Sequence, residues 1–439
     1  MWAGIISEKI KNKMFEIIGE SFQNLGQSIT GGWFLLSKIW FIVLPPVFYY
    51  LFKLLWMDFV QNNFVGSLDW TLLEIIPPRE LERSPQPMES IYNGLAGVYK
   101  GLSAKDLYVD GALTLSFSLE LVSDAGQVHF YIRTTKQNRK LVESHVYAQY
   151  PNAEILEVSD YINNVPRLVP NKSWDLWGTD FMLIKPDAYP LRSYRWFEES
   201  VTGKMIDPMS SLVEAMGTIG PGQQVWFQII IIPEELDYYN SGKALIDKLA
   251  GRVKKEKPGV FNSIGKDIAD VIKGIFQGIF APVEFAPSKE DKADQTPLEF
   301  RLTPGEKEVM KAIEESMGKT VFLTKIRLLV LGKRENLDRS VIGAFMGGIR
   351  QFSDSNLNGF KHDNATKTYG VYLGGKMRAL FRQRKIFQRY KDRDPTGTKF
   401  FLNTEELATI FHFPDMTVVA PSVKKVESKR GGAPANLPI

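Results

Sequence analysis

Regular alternation of apolar and polar residues predicts strands in the chain beyond residue 77. In LTLSFSLEL, residues 113–121, every second side chain is Leu or Phe, which predicts a strand with one apolar face. The sequence DAG at 124–126 supplies a turn, and a second alternating run over 128–132 follows it. We therefore expect the two strands to pair as a hairpin whose apolar face is open to helices.

Helical and strand patterns continue in alternation after this hairpin. They predict a helix at 137–149, strands at 153–158, 180–185 and 225–232, and a helix at 208–217 capped by Asp207. Because strands and helices alternate at short intervals, we expect a first α+β domain over 68–250.

A second α+β domain is predicted over 298–420. Its first helix opens at Thr303, with Pro304 in the first turn and Glu306 completing a capping box. A strand at 320–331 and a helix at 337–352 follow. The stretch of 251–297 between the two domains is predicted to be a linker.

The two domains show a common pattern. The run from 129 to 155 and the run from 327 to 360 both predict a strand, a basic turn with asparagine, a helix and an exit that contains asparagine. The predicted fold class is therefore α+β, with a single N-terminal membrane helix followed by two duplicated α/β-sandwich-like units whose sheets are antiparallel or mixed.

The linker contains an amphipathic pattern. Apolar residues between 264 and 280 trace one helical face, and charged residues occupy the other side. A helix packed on its own domain is one interpretation, and an in-plane membrane helix or a partner-docking helix is the other. The last segment, 421–439, is predicted to be a flexible tail.

The most apolar stretch of the chain is WFLLSKIWFIVLPPVFYYLFKLLWM at 33–57, with two charges, Lys38 and Lys53, near its ends. Lysine stems can extend to the headgroups, so the run is long enough to cross a bilayer. We expect one membrane helix at 31–58, kinked at Pro45-Pro46, with a re-entrant hairpin or an assembly contact as the alternative. The residues assigned to this span and its interfaces are Trp33, Trp40, Pro45, Pro46, Tyr49, Tyr50 and Trp56.

Residues 1–30 precede this stretch and show apolar positions at near-helical spacing between lysines. They predict an amphipathic segment on the membrane surface. The bulk of the chain is expected in the cytoplasm, below a single-pass anchor in the cell membrane. The charges on either side of the apolar stretch leave the topology open.

Composition narrows the chemistry. The chain of 439 residues contains no cysteine and four histidines that are far apart, so thiolate sites and local histidine metal motifs are absent from the sequence. GVYLGGKM at 370–377 follows the phosphate-loop pattern up to its lysine, but Met377 cannot supply the hydroxyl that holds Mg²⁺. The expectation is a protein that is not an enzyme and has no cofactor, catalytic residue or metal site.

Positive charge is concentrated in one segment. The net charge of the chain is +4, whereas 376–393 holds eight Lys or Arg and one acid. DNA, anionic lipid and an acidic protein surface are candidate partners, and a merely solvated face is the simplest alternative. The predicted anionic-partner patch consists of Lys376, Arg378, Arg382, Arg384, Lys385, Arg389, Lys391 and Arg393.

Two segments carry a family resemblance. FSLELVSDAGQVHFYIRTTKQNRKLVESHVYAQYPNAEI at 117–155 and FLNTEELATIFHFP at 401–414 resemble the N-terminal region of membrane-anchored ATPases related to type IV secretion coupling proteins and HerA/FtsK-type DNA translocases. In that family such a region, with a tail similar to 423–438, precedes the motor domain. The resemblance implies the fold and the membrane anchor, whereas ATP hydrolysis is expected from a separate polypeptide or to have been lost.

The second of these segments gives a structural expectation. Asn403 or Thr404 should cap a short helix that packs the domain junction. The residues assigned to this junction helix are Asn403, Glu405, Glu406, Leu407 and His412.

The resemblance implies a non-catalytic, membrane-anchored component of a bacterial type IV secretion or conjugation-like system that translocates DNA or protein. Its expected partners are the membrane, a motor ATPase in trans and other copies of the same chain. The alternative is a standalone membrane-associated protein that binds nucleic acid or anionic lipid through 376–393.

Overall fold

The computed structural model describes residues 41, 44–78, 84–197, 207–234, 237–249, 303–370 and 374–414. They form two compact units, one with residues up to 68 and 101–113, and the other with 69–100 and 114–414. The predicted segments 1–30, 251–297 and 421–439 lie outside the described residues.

The smaller unit contains a helix over 44–67, α1, and a short helix, α3, at Ala104–Tyr108. Ser103 and Asp106 form a capping box at the start of α3. The Trp56 Nε1 donates a hydrogen bond to the Tyr108 carbonyl at 2.8 Å. Gly111 adopts φ +66° against the α1 backbone at Val60, where a Cβ atom would lie 2.2 Å from the carbonyl oxygen.

Of the residues assigned to the membrane span, Trp33 and Trp40 lie outside the described residues. The others, Pro45, Pro46, Tyr49, Tyr50 and Trp56, lie in α1 and are exposed. Among the helices that the structure describes, none has both the length and the apolar character of a membrane span.

The larger unit is α+β and is built on a nine-stranded antiparallel sheet, counted over the described residues. The strands are β1 Trp70–Ile76, β2 Phe117–Asp124, β3 Gln127–Thr135, β4 Glu154–Val158, β5 Trp174–Leu183, β6 Gln223–Glu234, β7 Val321–Lys333, β8 Phe360–His362 and β9 Phe400–Asn403. Their order is β4-β1-β3-β2-β6-β7-β5-β8, and β9 pairs with one end of β7.

Helices alternate with the strands. They are α2 Gln86–Ala96, α4 Arg139–Gln149, α5 Ser210–Gly217, α6 Asp237–Leu249, α7 Pro304–Met317, α8 Ser340–Arg350, α9 Gly375–Lys391 and α10 Thr404–Ile410. The predicted helices match these bounds closely, whereas the strand predicted at 113–121 begins four residues before β2 and the strand predicted at 180–185 covers only the end of β5. Thr303 and Glu306 form the expected capping box on α7. The expected cap of α5 by Asp207 is wrong, because Met209 occupies the N-cap position and the Asp207 side chain accepts from the Met209 N–H at 2.7 Å.

The sheet contains the same topology twice. Apart from α3, which belongs to the smaller unit, the chain over 70–158 runs strand, helix, strand, strand, helix, strand, and the strands lie in the order β4-β1-β3-β2. Over 174–362 the corresponding strands lie in the order β8-β5-β7-β6, with α5 and α8 in the helix positions. Each half therefore has the split β-α-β, or ferredoxin-like, arrangement. The halves join where β2 pairs antiparallel with β6.

These halves differ from the two domains expected from the sequence. The expected boundary fell in 251–297, because that stretch is rich in Lys, Gly and Pro. In the structure β6 and β7, on either side of that stretch, are direct neighbours over twelve residue pairs. The stretch is therefore inserted within the second half, and both expected domains contribute strands to one sheet.

One face of the sheet packs against helices. The pair α2 and α4 packs together on the first half, and the pair α5 and α8 on the second. The main core lies between these helices and the strand residues directed at them, such as Phe130, Phe227 and Leu328. In this face the expected apolar alternation of the hairpin is confirmed, because Phe117, Leu119 and Leu121 are buried.

The opposite face is also covered, which the alternation did not predict. The helix α9 and a 3₁₀ turn at Tyr161–Asn164 pack over it, and a second apolar cluster includes Trp226, Phe387 and Tyr390. The polar residues of the hairpin strands consequently lie inside the protein. Glu120, for example, is fully buried in the middle of β2.

Candidate functional site

The helix α9 carries most of the predicted anionic-partner patch. It begins after Gly374, which has φ +78°, a conformation that glycine adopts without strain. Ile386, Phe387 and Tyr390 form its buried face against the sheet. The helix ends at Lys391, and two residues later Arg393 adopts φ +50°, which costs about 1–2 kcal/mol in a residue with a side chain.

A straight row of polar side chains crosses the sheet beneath α9. Directly opposed residues in antiparallel strands share a face, and the register links six positions in six neighbouring strands. We call this the polar row: Glu74 on β1, Tyr131 on β3, Glu120 on β2, Gln228 on β6, Arg327 on β7 and Asp180 on β5. The first half contributes three positions, on β1, β3 and β2, and the second half contributes three on the equivalent strands β5, β7 and β6. A carboxylate lies at each end of the row, Glu74 on β1 and Asp180 on β5.

The Glu120 carboxylate is paired with Arg393. The Arg393 Nε donates to Glu120 Oε1 at 3.0 Å and its Nη2 donates to Oε2 at 3.2 Å. The same guanidinium donates to both oxygens of Asp160, at 2.6 and 3.0 Å. Ser118 and Tyr161 add hydroxyl donors to Glu120 at 2.6 and 2.8 Å. These contacts explain how Arg393 is held in a left-handed backbone conformation.

The Asp180 carboxylate is paired with two cations. The Arg327 Nε donates to Asp180 Oδ1 at 2.8 Å, and the Lys325 Nζ lies 2.7 Å from Oδ2. All three side chains are at most 1% exposed. The Arg327 guanidinium also donates to the carbonyl oxygens of Arg389 and Asp394, at 2.9 and 3.1 Å. A cation thus lies against the C-terminal carbonyls of α9, where the helix dipole favours positive charge.

Gln228 connects these two ionic groups. Its Nε2 donates to Glu120 Oε1 at 3.1 Å, and its Oε1 accepts from Arg327 Nη1 at 3.2 Å. The amide lies at the junction of the two halves, where Gln228 is directly opposite Glu120. The buried charges therefore form one hydrogen-bonded network that joins both halves and the end of α9.

The network sets the protonation of its members. Burial alone would raise the pKa of Glu120, but the charge and hydrogen bonds of Arg393, with those of Ser118 and Tyr161, outweigh it and hold the pKa below its ordinary value. Burial lowers the pKa of Lys325, and Asp180 opposes that effect. Burial raises the pKa of Tyr161 and of Tyr390 well above the ordinary value. Glu120, Gln228, Arg327 and Asp180 are fully buried.

The predicted patch is divided by this arrangement. Arg393 is buried in the network, so it is not available to an external partner. Arg382 donates to the Lys367 carbonyl at 3.1 Å, Lys391 donates to the Arg167 carbonyl at 3.0 Å, and Arg389 pairs with Asp394 at 3.4 Å. The exposed members of the patch are Lys376, Arg378, Arg384 and Lys385.

The junction residues lie in and around α10. The Asn403 side chain caps this helix by accepting from the Glu406 N–H at 2.9 Å, and Glu406 returns the capping-box bond. Leu407 enters the main core. Glu405 is buried and pairs with Lys319, and Arg195 lies 3.3 Å from it. The helix is thereby attached to the turn that follows α7 and to the 3₁₀ turn at Tyr194–Phe197.

His412 and Glu406 are the titratable groups of this junction that lie deepest. The His412 Nε2 lies 3.0 Å from Asp207 Oδ1, and its Nδ1 lies 2.8 Å from the Ala408 carbonyl. Both ring nitrogens of His412 therefore have a hydrogen-bond partner. Burial raises the pKa of Glu406 to about 7, although the Asn403 and Leu191 N–H groups and Lys319 act in the opposite direction.

The glycine-rich segment before α9 lacks the context of a phosphate loop. In such loops a strand leads directly into the glycines. Here β8 ends at His362, and turns rather than a strand occupy 364–366. The described residues also contain no group of three acidic, histidine or cysteine side chains that could hold a metal ion.

Sequence reasoning missed the polar row. Glu120 occupies the polar side of an alternating strand, which is the ordinary pattern of a solvated face. The available signal was the type of residue, because an Arg and a Lys two positions apart in the otherwise apolar strand TKIRLLVL are unusual for a central strand. The residues that cover them are far away in sequence, as Arg393 is 273 positions from Glu120.

The fold and site define a class of protein: two split β-α-β halves in one sheet, joined by an internal charge network and covered by a basic helix. Residues 63–426 match the family described as a domain of unknown function, DUF8128, and the chain belongs to that family. None of the curated proteins gives a significant match.

Proposed function

We propose that this protein is a membrane-anchored, non-catalytic component of a type IV secretion or conjugation-like translocation system, and that its α+β body docks or organises a motor ATPase. The bulk of the chain lies in the cytoplasm in this proposal, and copies of the chain assemble around the motor. The two halves of the sheet arose by duplication, with 129–155 and 327–360 as corresponding segments.

The observation that carries the anchor is the surface of α1. Consecutive large apolar side chains are more than half exposed, so they point to all sides of the helix: Phe48, Tyr49, Tyr50, Phe52, Leu55 and Phe59. Water-soluble monomers rarely expose a continuous apolar surface of this kind, which is typical of membrane or protein contacts. The aromatic content suits the interface between lipid and water.

The non-catalytic role rests on how the charged groups are used. The strongest concentration of buried carboxylates and cations joins strands to α9 and is satisfied internally. Such groups hold elements in a fixed geometry, which is a structural use of charge. A motor in trans is carried over from the resemblance of 117–155 and 401–414 to the region that precedes the motor in coupling-protein-like ATPases.

A specific observation supports the rival function, a standalone protein that binds nucleic acid or anionic lipid. The exposed members of the patch occupy the first and third turns of α9. Cations in such a row supply binding to phosphates without sequence preference.

Membrane extraction tests the anchor. Membranes that contain the full chain are washed with alkaline carbonate, and we expect the chain to stay in the pellet. Replacing Phe48 and Phe52 by Asp should release it, because a charge at the centre of an apolar span costs several kcal/mol. A matched pair in the body, Trp196→Asp with Tyr239→Asp, should leave it in the pellet. Equal release by the two pairs would refute the anchor.

Isolation from the native host tests the motor. Tagged full chain should bring down a nucleotide-hydrolysing protein, and chain made alone should show no turnover. Salt-sensitive DNA binding that disappears in an Arg384→Gln, Lys385→Gln variant, with no associated ATPase, would favour the rival. Nucleotide turnover by the chain alone would overturn the non-catalytic role.

A further inference from the structure

The start of α9 exposes apolar side chains that the core does not use. Met377 and Phe381 are 80% and 65% exposed and stand one turn apart. They face away from Ile386, Phe387 and Tyr390, which already supply the buried face of the helix. Met377 and Phe381 are therefore exposed although the helix packs against the sheet through its other face.

Cations surround this pair, and α9 contains no acidic residue from Gly375 to Lys391. Two exposed cations, Lys376 and Arg378, are the sequence neighbours of Met377. Two more, Arg384 and Lys385, are exposed three and four residues after Phe381. The Lys385 ammonium lies 5.7 Å from the centre of the Phe381 ring. We call this combination the outer face of α9.

The helix cannot turn to hide the outer face. The Gln383 Nε2 donates to the Leu176 carbonyl at 2.6 Å, and Arg382 donates to the Lys367 carbonyl at 3.1 Å. At its other end the helix is held by the network of Arg327 and Arg393. The outer face is presented in a fixed orientation by the sheet.

We propose that the outer face of α9 binds the surface of an anionic lipid bilayer. Headgroup phosphates complement the four exposed cations, and the boundary with the acyl chains accepts Met377 and Phe381. Tyr369, 63% exposed just before the helix, has the amphipathic ring that is enriched at this depth.

A bilayer fits this face better than single-stranded nucleic acid does. Nucleic acid would use the cations and stack a base on Phe381, but Met377, which is 80% exposed, offers no stacking platform. A lipid surface removes both apolar side chains from water at the same time.

This inference deepens the proposed function, since it rests on a chain that works at a membrane. It adds a second contact, which brings the α+β body itself against the lipid surface. A weak contact of this kind becomes effective when an anchor already holds the chain nearby.

The sequence makes a site-specific probe simple because it contains no cysteine. Phe381→Cys in the full chain is labelled with a nitroxide and incorporated into vesicles of phosphatidylcholine, with or without phosphatidylglycerol. We expect the label to gain accessibility to oxygen and to lose accessibility to a nickel chelate only in the vesicles that contain phosphatidylglycerol. A label at Tyr239→Cys, a position 56% exposed on α6, should not change.

Charge variants in the same labelled chain test the cations. Arg384→Gln with Lys385→Gln should abolish the shift, because the loss of two cations lowers affinity for an anionic surface roughly 25-fold. Lys136→Gln with Lys140→Gln, two exposed cations at the start of α4, should retain it.

The outcomes separate this inference from the proposed anchor. A chain that fails to enter phosphatidylcholine vesicles refutes the anchor, yet the same label shift on mixing with preformed anionic vesicles still supports the outer-face contact. A label that remains open to nickel in anionic vesicles overturns the contact. A label that responds to single-stranded DNA and not to anionic vesicles also overturns it, in favour of nucleic acid.

Discussion

The two ends of α9 carry similar charge and use it in opposite ways. Around its C-terminal end Arg393 and Arg327 are buried, and carboxylates and carbonyl oxygens satisfy them. In its first three turns Arg384 and Lys385 are exposed beside apolar side chains. Charge density in a sequence thus does not distinguish a cation that holds a fold together from one that meets a partner. Burial and the position of carboxylates make that distinction.

The largest effect should come from removing the carboxylate of Asp180. In Asp180→Ala, Lys325 and Arg327 keep their charges at positions that are at most 1% exposed. We expect a loss of about 3–5 kcal/mol in the free energy of unfolding, measured with urea. The matched control on the same strand is Asp175→Ala. Its ion pairs with Arg334 and Arg339 are partly exposed, so about 1 kcal/mol or less is expected. Equal losses would contradict the buried network.

A smaller loss is expected when the link between the two ionic groups is removed. Gln228→Leu leaves Glu120 and Arg327 each without one hydrogen bond in a fully buried place. The expected cost is about 1–3 kcal/mol in urea unfolding. A variant as stable as the parent would show that the two groups act independently across the junction of the halves.

Glu120 and Glu406 should respond to pH in opposite ways. Arg393 holds the pKa of Glu120 below its ordinary value, so this stabilisation is present at neutral pH and is lost only as pH falls through the lowered pKa in acid. Burial raises the pKa of Glu406 from 4.5 to about 7. The stability it contributes is complete below pH 4.5 and is lost as pH rises through about 7.

Unfolding measured across pH tests this difference. The free energy of unfolding of the parent minus that of Glu406→Gln should decrease between pH 5 and pH 8, because glutamine does not ionise. Parallel profiles for the two proteins would show that Glu406 titrates normally in the folded state.

The smallest effect on stability is expected in the first turns of α9. Arg384→Ala and Lys385→Ala remove exposed side chains, so each should change the free energy of unfolding by no more than about 0.5 kcal/mol. A loss of 2 kcal/mol or more would show that Arg384 and Lys385 stabilise the fold, as Arg393 does at the C-terminal end. The two ends of α9 would then not differ in how they use their charge.

Local patterns gave much of the fold. The turn at 124–126 joins β2 and β3 as expected, with Ala125 and Gly126 at φ +50° and +89°. Thr303 and Glu306 cap α7, and the elements of the run at 129–155 reappear in the run at 327–360. These features depend on neighbours in sequence, so the sequence contains enough information to predict them.

Contacts between distant segments were not predictable in the same way. An alternating strand shows which side chains share a face but not what covers that face. Glu120 therefore looked solvated, although Arg393 and Tyr161 enclose it. The pairing of β6 with β7 could not be predicted, because a long insertion separates the two strands in sequence. The sequence could not separate the exposed part of the basic segment from its buried end, because both parts are rich in Arg and Lys.

The most direct test of the division of α9 is the free energy of unfolding of Arg393→Met compared with Arg384→Met under identical conditions. Arg393→Met leaves Glu120 fully buried without its guanidinium partner, and we expect a loss of about 3–5 kcal/mol. Arg384→Met should unfold within about 0.5 kcal/mol of the parent. Equal stability of the two variants would contradict the assignment of one end of α9 to the scaffold and the other to a partner.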